Sequence, residues 1–229
     1  MHAEPKVLGA IFDMDGTLLD SYHAHRSAWQ RAMKELGIDY SQDEFHRHFG
    51  RRNEEIIKDV FQSRGQTEPG TDEIQRIADR KEDLFRSVVV DDFAEMPGTT
   101  TLLSSLRERG WKLAVGSSAP RANVELALEL LGLRELITVT VCGCDVERGK
   151  PEPDVFLESA RRLGLEPSDC VVIEDAPAGI EAAHRAGMPA VAIECPHHST
   201  DLSAADLQVR DFGECPEPEL RTLIKEHDS

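Results

Sequence analysis

The sequence alternates short apolar runs with amphipathic segments, and this alternation constrains the fold more than any other feature. β-Branched runs lie at residues 7–12, 112–116, 137–141, 170–173 and 190–193, and helical patterns lie at 99–109, 121–131, 153–163 and 178–186. Gly110, Gly132, Gly164 and Gly187 directly follow these helical patterns, where a left-handed residue often ends a helix. Such alternation predicts an α/β fold with a parallel sheet covered by helices on both faces.

One long segment interrupts the alternation. Residues 21–92 contain no convincing strand, and the patterns at 23–36, 42–49, 53–63 and 71–89 are typical of helices. The simplest organisation is a helical insert at 21–92, placed after the first strand of a sheet domain that comprises residues 1–20 and 93–229.

Composition excludes several classes of protein. The chain has 229 residues and a net charge of −17, which would repel a polyanion, so no nucleic-acid partner is expected. No apolar run of about 18 residues is present, so no membrane partner is expected either. The polar N-terminus and the five scattered cysteines favour a cytoplasmic protein with reduced thiols, and a monomer is compatible with the sequence.

Polar side chains follow four of the predicted strands. Asp13, Asp15, Gly16 and Thr17 follow the first, Ser117 and Ser118 the second, Lys150 the third, and Glu174 and Asp175 the fourth. Ligands of open parallel sheets bind beyond the carboxyl ends of the strands, where these side chains should converge. The sequence therefore predicts one site at this edge of the sheet.

The chemistry of this edge follows from its charges. Four converging carboxylates would repel each other unless a cation is bound, and oxygen ligands are typical of Mg²⁺. The ion and Lys150 would together attract a phosphoryl group. One carboxylate could then attack phosphorus, while a second transfers protons.

These motifs resemble those of a known family. Asp13-Met14-Asp15-Gly16-Thr17, Ser117, Lys150-Pro151-Glu152-Pro153 and Glu174-Asp175 are similar, in order, to the four motifs of the haloacid dehalogenase-like superfamily. The resemblance covers nearly the whole chain. It implies a Rossmann-like catalytic core and identifies the helical insert as a cap domain that determines substrate specificity.

The resemblance also implies roles for individual residues. Asp13 would be the nucleophile and Asp15 the general acid and base, while Ser117 binds the phosphoryl oxygen and Lys150 neutralises it and orients Asp13. Mg²⁺ would be held by Asp13, the backbone carbonyl of Asp15 and Asp175, with Glu174 close to the ion or its waters. Gly16, Thr17 and Ser118 are expected beside the phosphate.

Asp15 selects among the branches of this superfamily. Haloacid dehalogenases use no metal and lack this second aspartate, and phosphonoacetaldehyde hydrolases have a small residue in its place. The latter also need a lysine in the cap, for which Lys34 or Lys58 stays open. Phosphatases and phosphomutases are the branches that the motif favours.

Two features of the insert concern the substrate. His25 and Trp29 are four residues apart and share a helix face, which either packs inward or contacts the substrate. The run from His46 to Arg52 contains five basic or potentially basic residues. It is either a helix end whose charges suit the helix dipole or a specificity loop in which Arg51 or Arg52 reaches the substrate.

The spacing of His25 and Trp29 resembles both β-phosphoglucomutase and several sugar-phosphate phosphatases. Asn53 stands where that mutase has an arginine for the second phosphate, and Arg121 replaces its core lysine only in kind. We therefore predict a Mg²⁺-dependent phosphatase of a small phosphorylated metabolite, such as a sugar phosphate, that forms an aspartyl-phosphate. The alternatives are a β-phosphoglucomutase and, less favoured, a non-catalytic metal-binding interaction protein.

Overall fold

The computed structural model describes residues 6–197 and 200–227. The chain divides into two compact units. The described residues of Met1–Asp20 and Ala94–Ser229 form the first unit, and Ser21–Phe93 forms the second.

The first unit contains a parallel sheet that confirms the predicted α/β fold. Its described strands are β1 (Gly9–Phe12), β2 (Lys112–Gly116), β3 (Val139–Val141), β4 (Cys170–Glu174), β5 (Ala190–Ile193) and β6 (Leu207–Val209). Their order in the sheet is β3-β2-β1-β4-β5-β6. In this register Phe12 lies opposite both Val115 and Ile173, so β1, β2 and β4 end side by side.

Helices connect the strands and cover the sheet. They are α5 (Thr99–Glu108), α6 (Arg121–Leu130), α7 (Asp154–Leu163), α8 (Pro177–Arg185) and α9 (Glu217–His227). Helix α7 packs against β1, β2 and β3, and α8 packs against β4 and β5. The four glycines that were predicted to follow helices all have positive φ angles, between 67° and 82°.

The strand predictions differ from the structure at the start of β1, at the start of β3, which begins at Val139 rather than at Ile137, and at β6. Strand β1 begins at Gly9 rather than at Val7, whose side chain is 45% exposed. Strand β6 was not predicted because it has only three residues and one of them, Gln208, is exposed. Its pairing with β5 therefore extends the sheet beyond the five predicted strands.

The second unit is helical, as the sequence predicts. Its helices are α1 (Tyr22–Glu35), α2 (Gln42–His48), α3 (Asn53–Ser63) and α4 (Thr71–Val89). Helix α1 packs against α4 and α2, and α3 packs against α4. At the start of α2, the Ser41 hydroxyl accepts from the backbone N–H of Glu44 at 3.2 Å, and the Glu44 carboxylate accepts from the Ser41 N–H at 2.9 Å. This reciprocal cap begins the helix.

The chain leaves and re-enters the first unit at neighbouring backbone positions. Leu19 forms an antiparallel bridge with Glu95, and the N–H of Asp20 donates to the carbonyl of Ala94 at 2.9 Å. The insert is therefore joined to the sheet unit through two paired backbone segments. Among the described residues, no helix has the length and apolar character needed to cross a membrane.

Candidate active site

Asp13 is fixed at the carboxyl end of the central strand. It directly follows β1, is buried, and donates its backbone N–H to the carbonyl of Ile173 on β4 at 2.9 Å. The Nζ atom of Lys150 donates to Oδ1 of Asp13 and, at 2.6 Å, to Oε1 of Glu174. The structure thus brings together three of the predicted site residues, which come from three different strand ends.

Lys150 stays charged in this position. Burial alone would lower the pKa of Lys150, but the negative charges and hydrogen bonds of Asp13 and Glu174 outweigh burial and hold the pKa above its ordinary value. The ammonium also lies 4.9 Å from the centroid of the Phe156 ring. It is therefore a buried, fixed positive charge beside the Asp13 carboxylate.

Glu174 is held by the protein through both of its carboxylate oxygens. While Oε1 accepts from Lys150, Oε2 accepts from the backbone N–H groups of Asp175 at 2.9 Å and Ala176 at 3.0 Å, just before α8. A Cβ atom on Gly179 would lie 1.9 Å from the carboxyl carbon of Glu174, so only glycine fits there. This geometry gives Glu174 a role in positioning Lys150, in addition to its predicted place near the metal.

The other carboxylates at this edge are electrostatically strained. Burial raises the pKa of Asp13 to about 7, and the charges of Glu174 and Asp15 add to this rise while Lys150 opposes it. Burial also raises the pKa of Asp175 well above its ordinary value, with further increases from Glu174 and Asp13. One lysine therefore does not balance the negative charge of the site.

The backbone after Asp15 passes directly over Asp175. Gly16 has a φ of 83°, and a Cβ atom there would lie 2.1 Å from Oδ2 of Asp175. The hydroxyl of Thr17 donates to Oδ1 of the same carboxylate at 3.4 Å. Asp15 itself is only partly buried. The predicted Asp13–Thr17 motif and Asp175 thus form one contiguous cluster.

Ser117 and Ser118 follow β2 at the same edge. The N–H of Ser117 donates to the carbonyl of Val141 at 3.0 Å, and its buried hydroxyl oxygen accepts from the N–H of Ala119 at 3.1 Å. Ser118 has an exposed side chain. Its carbonyl lies 2.4 Å from where a Cβ atom of Gly143 would be, so that glycine permits this turn.

The donor set of this cluster fits a hard divalent cation. The candidate ligands are buried carboxylate oxygens and a backbone carbonyl, which are the ligands that Mg²⁺ prefers. A cation would also neutralise the charge that raises the pKa of Asp13 and Asp175. Within residues 6–197 and 200–227, no three His, Cys, Asp or Glu side chains already form a metal-binding group. A backbone carbonyl and water would therefore have to complete the ligand set.

The predicted substrate residues of the insert form part of a polar cluster within the second unit. Nζ of Lys81 lies 2.9 Å from Nδ1 of His25 and 5.5 Å from the Trp29 ring centroid. Trp29 is buried among the helices, whereas His25 is partly buried and stacks on Phe85 at 4.1 Å. Both predicted residues therefore lie against one lysine.

The sequence interpretation missed Lys81 and its neighbour Glu82. Lys81 is only 2% exposed and lies 2.9 Å from a carboxylate oxygen of Glu82, which accepts from Nδ2 of Asn53 at 2.7 Å. Burial raises the pKa of Glu82, but the charges of Lys81 and His25, together with the hydrogen bonds from Asn53 and Lys81, outweigh burial and the net pKa is lowered. Lys81 lies seven residues after Ile74 and four after Ile77 on the apolar stripe of α4, and this register could have identified it.

The basic run of the insert is divided in the structure. His46 and Arg47 occupy the last turn of α2, His48 is buried, and Arg51 and Arg52 are exposed in the connection to α3. Arg51 lies 3.5 Å from Glu55. Of the residues left open for other branches, Lys34 is exposed, Lys58 pairs with Glu54 at 2.9 Å, and Arg121 donates to Asp145 at 2.5 Å.

The fold and this acidic edge define a class of α/β proteins in which a buried aspartate, a lysine and further carboxylates converge at the carboxyl ends of parallel strands. A comparison with models of protein families matches residues 10–193 to the haloacid dehalogenase-like hydrolases. The chain belongs to this family. The resemblance that the sequence motifs indicated is thereby confirmed.

Several curated relatives cover most of the chain. It is 35% identical to validoxylamine A 7'-phosphate phosphatase of Streptomyces hygroscopicus subsp. limoneus, over 92% of this chain and 97% of the relative. It is 35% identical to fructose-1-phosphate phosphatase YqaB of Escherichia coli, over 80% of this chain and 94% of the relative. It is 32% identical to β-phosphoglucomutase of Bacillus subtilis, over 87% of this chain and 88% of the relative.

Proposed function

We propose that this protein is a Mg²⁺-dependent phosphatase of a small phosphorylated metabolite, most plainly a sugar phosphate. The observation that carries the proposal is the buried Asp13 carboxylate held by Lys150, which is itself fixed by Glu174. The names of the relatives support the substrate class, since two are phosphatases of phosphorylated small molecules and the third acts on phosphoglucose.

The proposed reaction begins at Asp13. A carboxylate oxygen of Asp13 attacks phosphorus and forms an aspartyl-phosphate, while the bond from phosphorus to the alcohol oxygen breaks. Lys150 holds Asp13 in place and offsets charge on the phosphoryl oxygens. The Ser117 hydroxyl oxygen already accepts a bond from Ala119, so its proton can be donated to a phosphoryl oxygen.

Asp15 is the residue proposed to move protons. It is partly buried, unlike the buried Asp13 and Asp175, and therefore remains accessible to a leaving group and to water. Asp15 protonates the departing alcohol and then removes a proton from the water that attacks phosphorus. That second displacement releases inorganic phosphate and restores Asp13. General acid–base catalysis of this kind contributes roughly 10²–10⁴-fold.

Asp13, Asp175 and the backbone carbonyl of Asp15 would hold the metal, with Glu174 nearby. When bound, Mg²⁺ supplies positive charge that stabilises the phosphoryl oxygens. The second unit is proposed to act as the cap that determines specificity. The predicted cytoplasmic location and monomeric state stay predictions.

Hydrolysis is favoured over phosphoryl transfer between sugar hydroxyls by two side chains that already have partners. The guanidinium of Arg121 donates to Asp145, and the amide of Asn53 donates to the buried Glu82. These residues occupy the positions where the mutase resemblance calls for phosphate-binding side chains. A relative named β-phosphoglucomutase nevertheless makes mutase activity the alternative to test.

The direct experiment measures release of inorganic phosphate from p-nitrophenyl phosphate, fructose 1-phosphate and β-glucose 1-phosphate, with Mg²⁺ or with EDTA. We expect EDTA to abolish turnover and Asp13→Asn to reduce kcat by roughly 10³-fold or more. Asp201→Asn is the control, because it makes the same substitution at an exposed aspartate. Retention of most activity by Asp13→Asn, or indifference to EDTA, would disprove the proposal.

The mutase alternative has a separate readout. Incubation with β-glucose 1-phosphate should yield glucose and inorganic phosphate in equal amounts. Accumulation of glucose 6-phosphate without free phosphate would instead establish the mutase. Silence with every ester in the presence of Mg²⁺ would favour the non-catalytic, metal-binding alternative.

A further inference from the structure

A buried histidine in the second unit connects a phenol to a carboxylate. Nδ1 of His48 lies 2.8 Å from the hydroxyl oxygen of Tyr40, and Nε2 of His48 lies 2.7 Å from Oδ2 of Asp59. His48 is 2% exposed and Tyr40 is 3% exposed, whereas the Asp59 side chain is 48% exposed. The three residues therefore form a chain that runs from the interior of the helical unit to its surface.

The charges of this chain fix the direction of its hydrogen bonds. The hydrogen bond from His48 lowers the pKa of Asp59, so the carboxylate is ionised and accepts from Nε2–H. Burial and the charge of Glu44 raise the pKa of Tyr40, so its phenol stays neutral and can donate to Nδ1. Both ring nitrogens of the buried imidazole are thus satisfied.

Asp59 also faces Arg51 at the surface. Nη1 of Arg51 lies 4.0 Å from Oδ2 of Asp59, the same oxygen that contacts His48. The backbone N–H of Arg51 donates to the carbonyl of His48 at 3.0 Å. His48 therefore acts on Arg51 in two ways, through the backbone of the 49–52 connection and through the Asp59 carboxylate.

The hydrogen-bonded chain of Tyr40, His48 and Asp59 is not needed to join α2 to α3. Arg64 already joins α2 to the end of α3, because its guanidinium donates to Glu44 at 2.8 Å and to the carbonyl of Asp39 at 2.6 Å. A buried imidazole carries a desolvation cost that an apolar side chain would avoid. His48 lies immediately before the exposed connection that contains Arg51. This position indicates that the hydrogen bonds of His48 order the connection.

We propose that His48 and Asp59 are positioning residues that hold the Arg51 guanidinium in one orientation for an anionic or hydroxyl group of the substrate. This inference rests on the proposed function, which assigns specificity to the second unit. Arg51 would touch the substrate, whereas Tyr40, His48 and Asp59 would act through it. Glu55, which lies 3.5 Å from Nε of Arg51, would hold the guanidinium at one point only, and Asp59 adds a second point at Nη1. Ordering the guanidinium beforehand lowers the entropic cost of binding.

The first test is Asp59→Asn, which retains an acceptor for His48 but removes the charge that faces Arg51. We expect KM for fructose 1-phosphate or β-glucose 1-phosphate, whichever is hydrolysed faster, to rise roughly threefold to tenfold with kcat nearly unchanged. KM for p-nitrophenyl phosphate, which lacks sugar hydroxyls, should stay the same. Glu54→Gln is the matched control, because it removes one charge from the same helix and Glu54 pairs with Lys58 rather than with Tyr40, His48 or Asp59.

A double mutant separates positioning from general effects. If Asp59 acts through Arg51, then Asp59→Asn will add nothing to the KM of Arg51→Gln. The same fold-increase in both backgrounds, or an unchanged KM in Asp59→Asn alone, would overturn the inference while leaving the proposed phosphatase intact.

Limited proteolysis supplies a readout that needs no catalysis. Trypsin cleaves after arginine, and Arg51 and Arg52 are exposed. We expect Asp59→Asn to accelerate cleavage after these two residues by roughly threefold or more, with the other cleavage rates and Tm close to wild type. An unchanged rate would show that the pair does not hold Arg51. A wild-type protein that hydrolyses no ester would refute the proposed function, and proteolysis would still decide whether the pair holds Arg51.

Discussion

Glu174 holds Lys150 and closes the start of the following helix with one carboxylate. Its Oε1 accepts from Nζ of Lys150 at 2.6 Å, and its Oε2 accepts from the N–H groups of Asp175 and Ala176. The orientation of the lysine is therefore coupled to the backbone turn that presents Asp175. A change at Glu174 should disturb the charge clamp even if no metal ligand is lost.

Glu174→Gln tests this coupling. A glutamine can still accept from Lys150, but its amide nitrogen cannot accept the two backbone N–H bonds, so we expect kcat to fall by roughly 10²-fold. Raising the Mg²⁺ concentration should not restore activity. Glu152→Gln, which loses only surface ion pairs with Arg148 and Arg185, should be silent. Recovery of Glu174→Gln at high Mg²⁺ would instead make Glu174 chiefly a metal residue.

Gly16→Ala tests the close approach to Asp175. Gly16 has a φ of 83° and Gly37 a φ of 72°. Because alanine is strained at such angles, either replacement should lower the free energy of unfolding by about 1 kcal/mol through the backbone alone. Only at Gly16 does the new Cβ atom meet a carboxylate, at 2.1 Å, whereas Gly37 has open space. We expect at least tenfold lower kcat/KM in Gly16→Ala and normal kinetics in Gly37→Ala. Equal activity of the two variants would contradict the geometry.

Asp175→Asn tests the unbalanced charge. Because burial and the neighbouring carboxylates raise the pKa of Asp175, a neutral isostere should increase Tm in EDTA by several degrees. The stabilisation that Mg²⁺ confers on the wild-type protein should disappear in this variant. Thermal melts in EDTA and in Mg²⁺, with Asp201→Asn as reference, measure both effects. A variant that Mg²⁺ still stabilises fully would exclude Asp175 as a ligand.

Glu82→Gln tests the buried ion pair of the second unit through pH. The folded-state pKa of Glu82 is lowered, so its contribution to stability is present above the unfolded pKa of about 4.3 and is lost as the pH falls through the folded pKa. At pH 7 the variant leaves the Lys81 charge buried without its partner, which should cost about 3 kcal/mol. Urea unfolding followed by tryptophan fluorescence should show this difference narrowing below about pH 4. A difference that is independent of pH would argue against an ionised Glu82.

Much of this organisation was accessible from the sequence, for reasons that particular residues illustrate. The predicted bounds 112–116 and 190–193 match β2 and β5, because each apolar run is bounded by residues that interrupt the pattern. Asp13, Lys150 and Glu174 were found because each follows a strand, and strand ends of a parallel sheet meet in space. The alternation therefore predicted where these three side chains converge, as well as the fold.

The polar residues whose burial was not predicted lie inside the helical unit. Lys81, Glu82 and His48 are charged or titratable side chains within helices, where such residues are usually exposed. Their burial depends on partners far away in sequence, such as Asn53 for Glu82 and Asp59 for His48. The sequence pattern of one helix identifies only one residue of each such pair. The partner becomes apparent only in the tertiary structure.

The pairing of Leu19 with Glu95 has a consequence for how such chains diversify. The two backbone segments that bracket the insert are hydrogen bonded to each other. The insert is therefore a loop whose ends are held together within the sheet unit. The entropy of closing a loop changes only with the logarithm of its length. One helical module could thus be exchanged for another of different size without moving Asp13 or Lys150. Under the proposed function, substrate choice and bond cleavage would then evolve on separate parts of one chain.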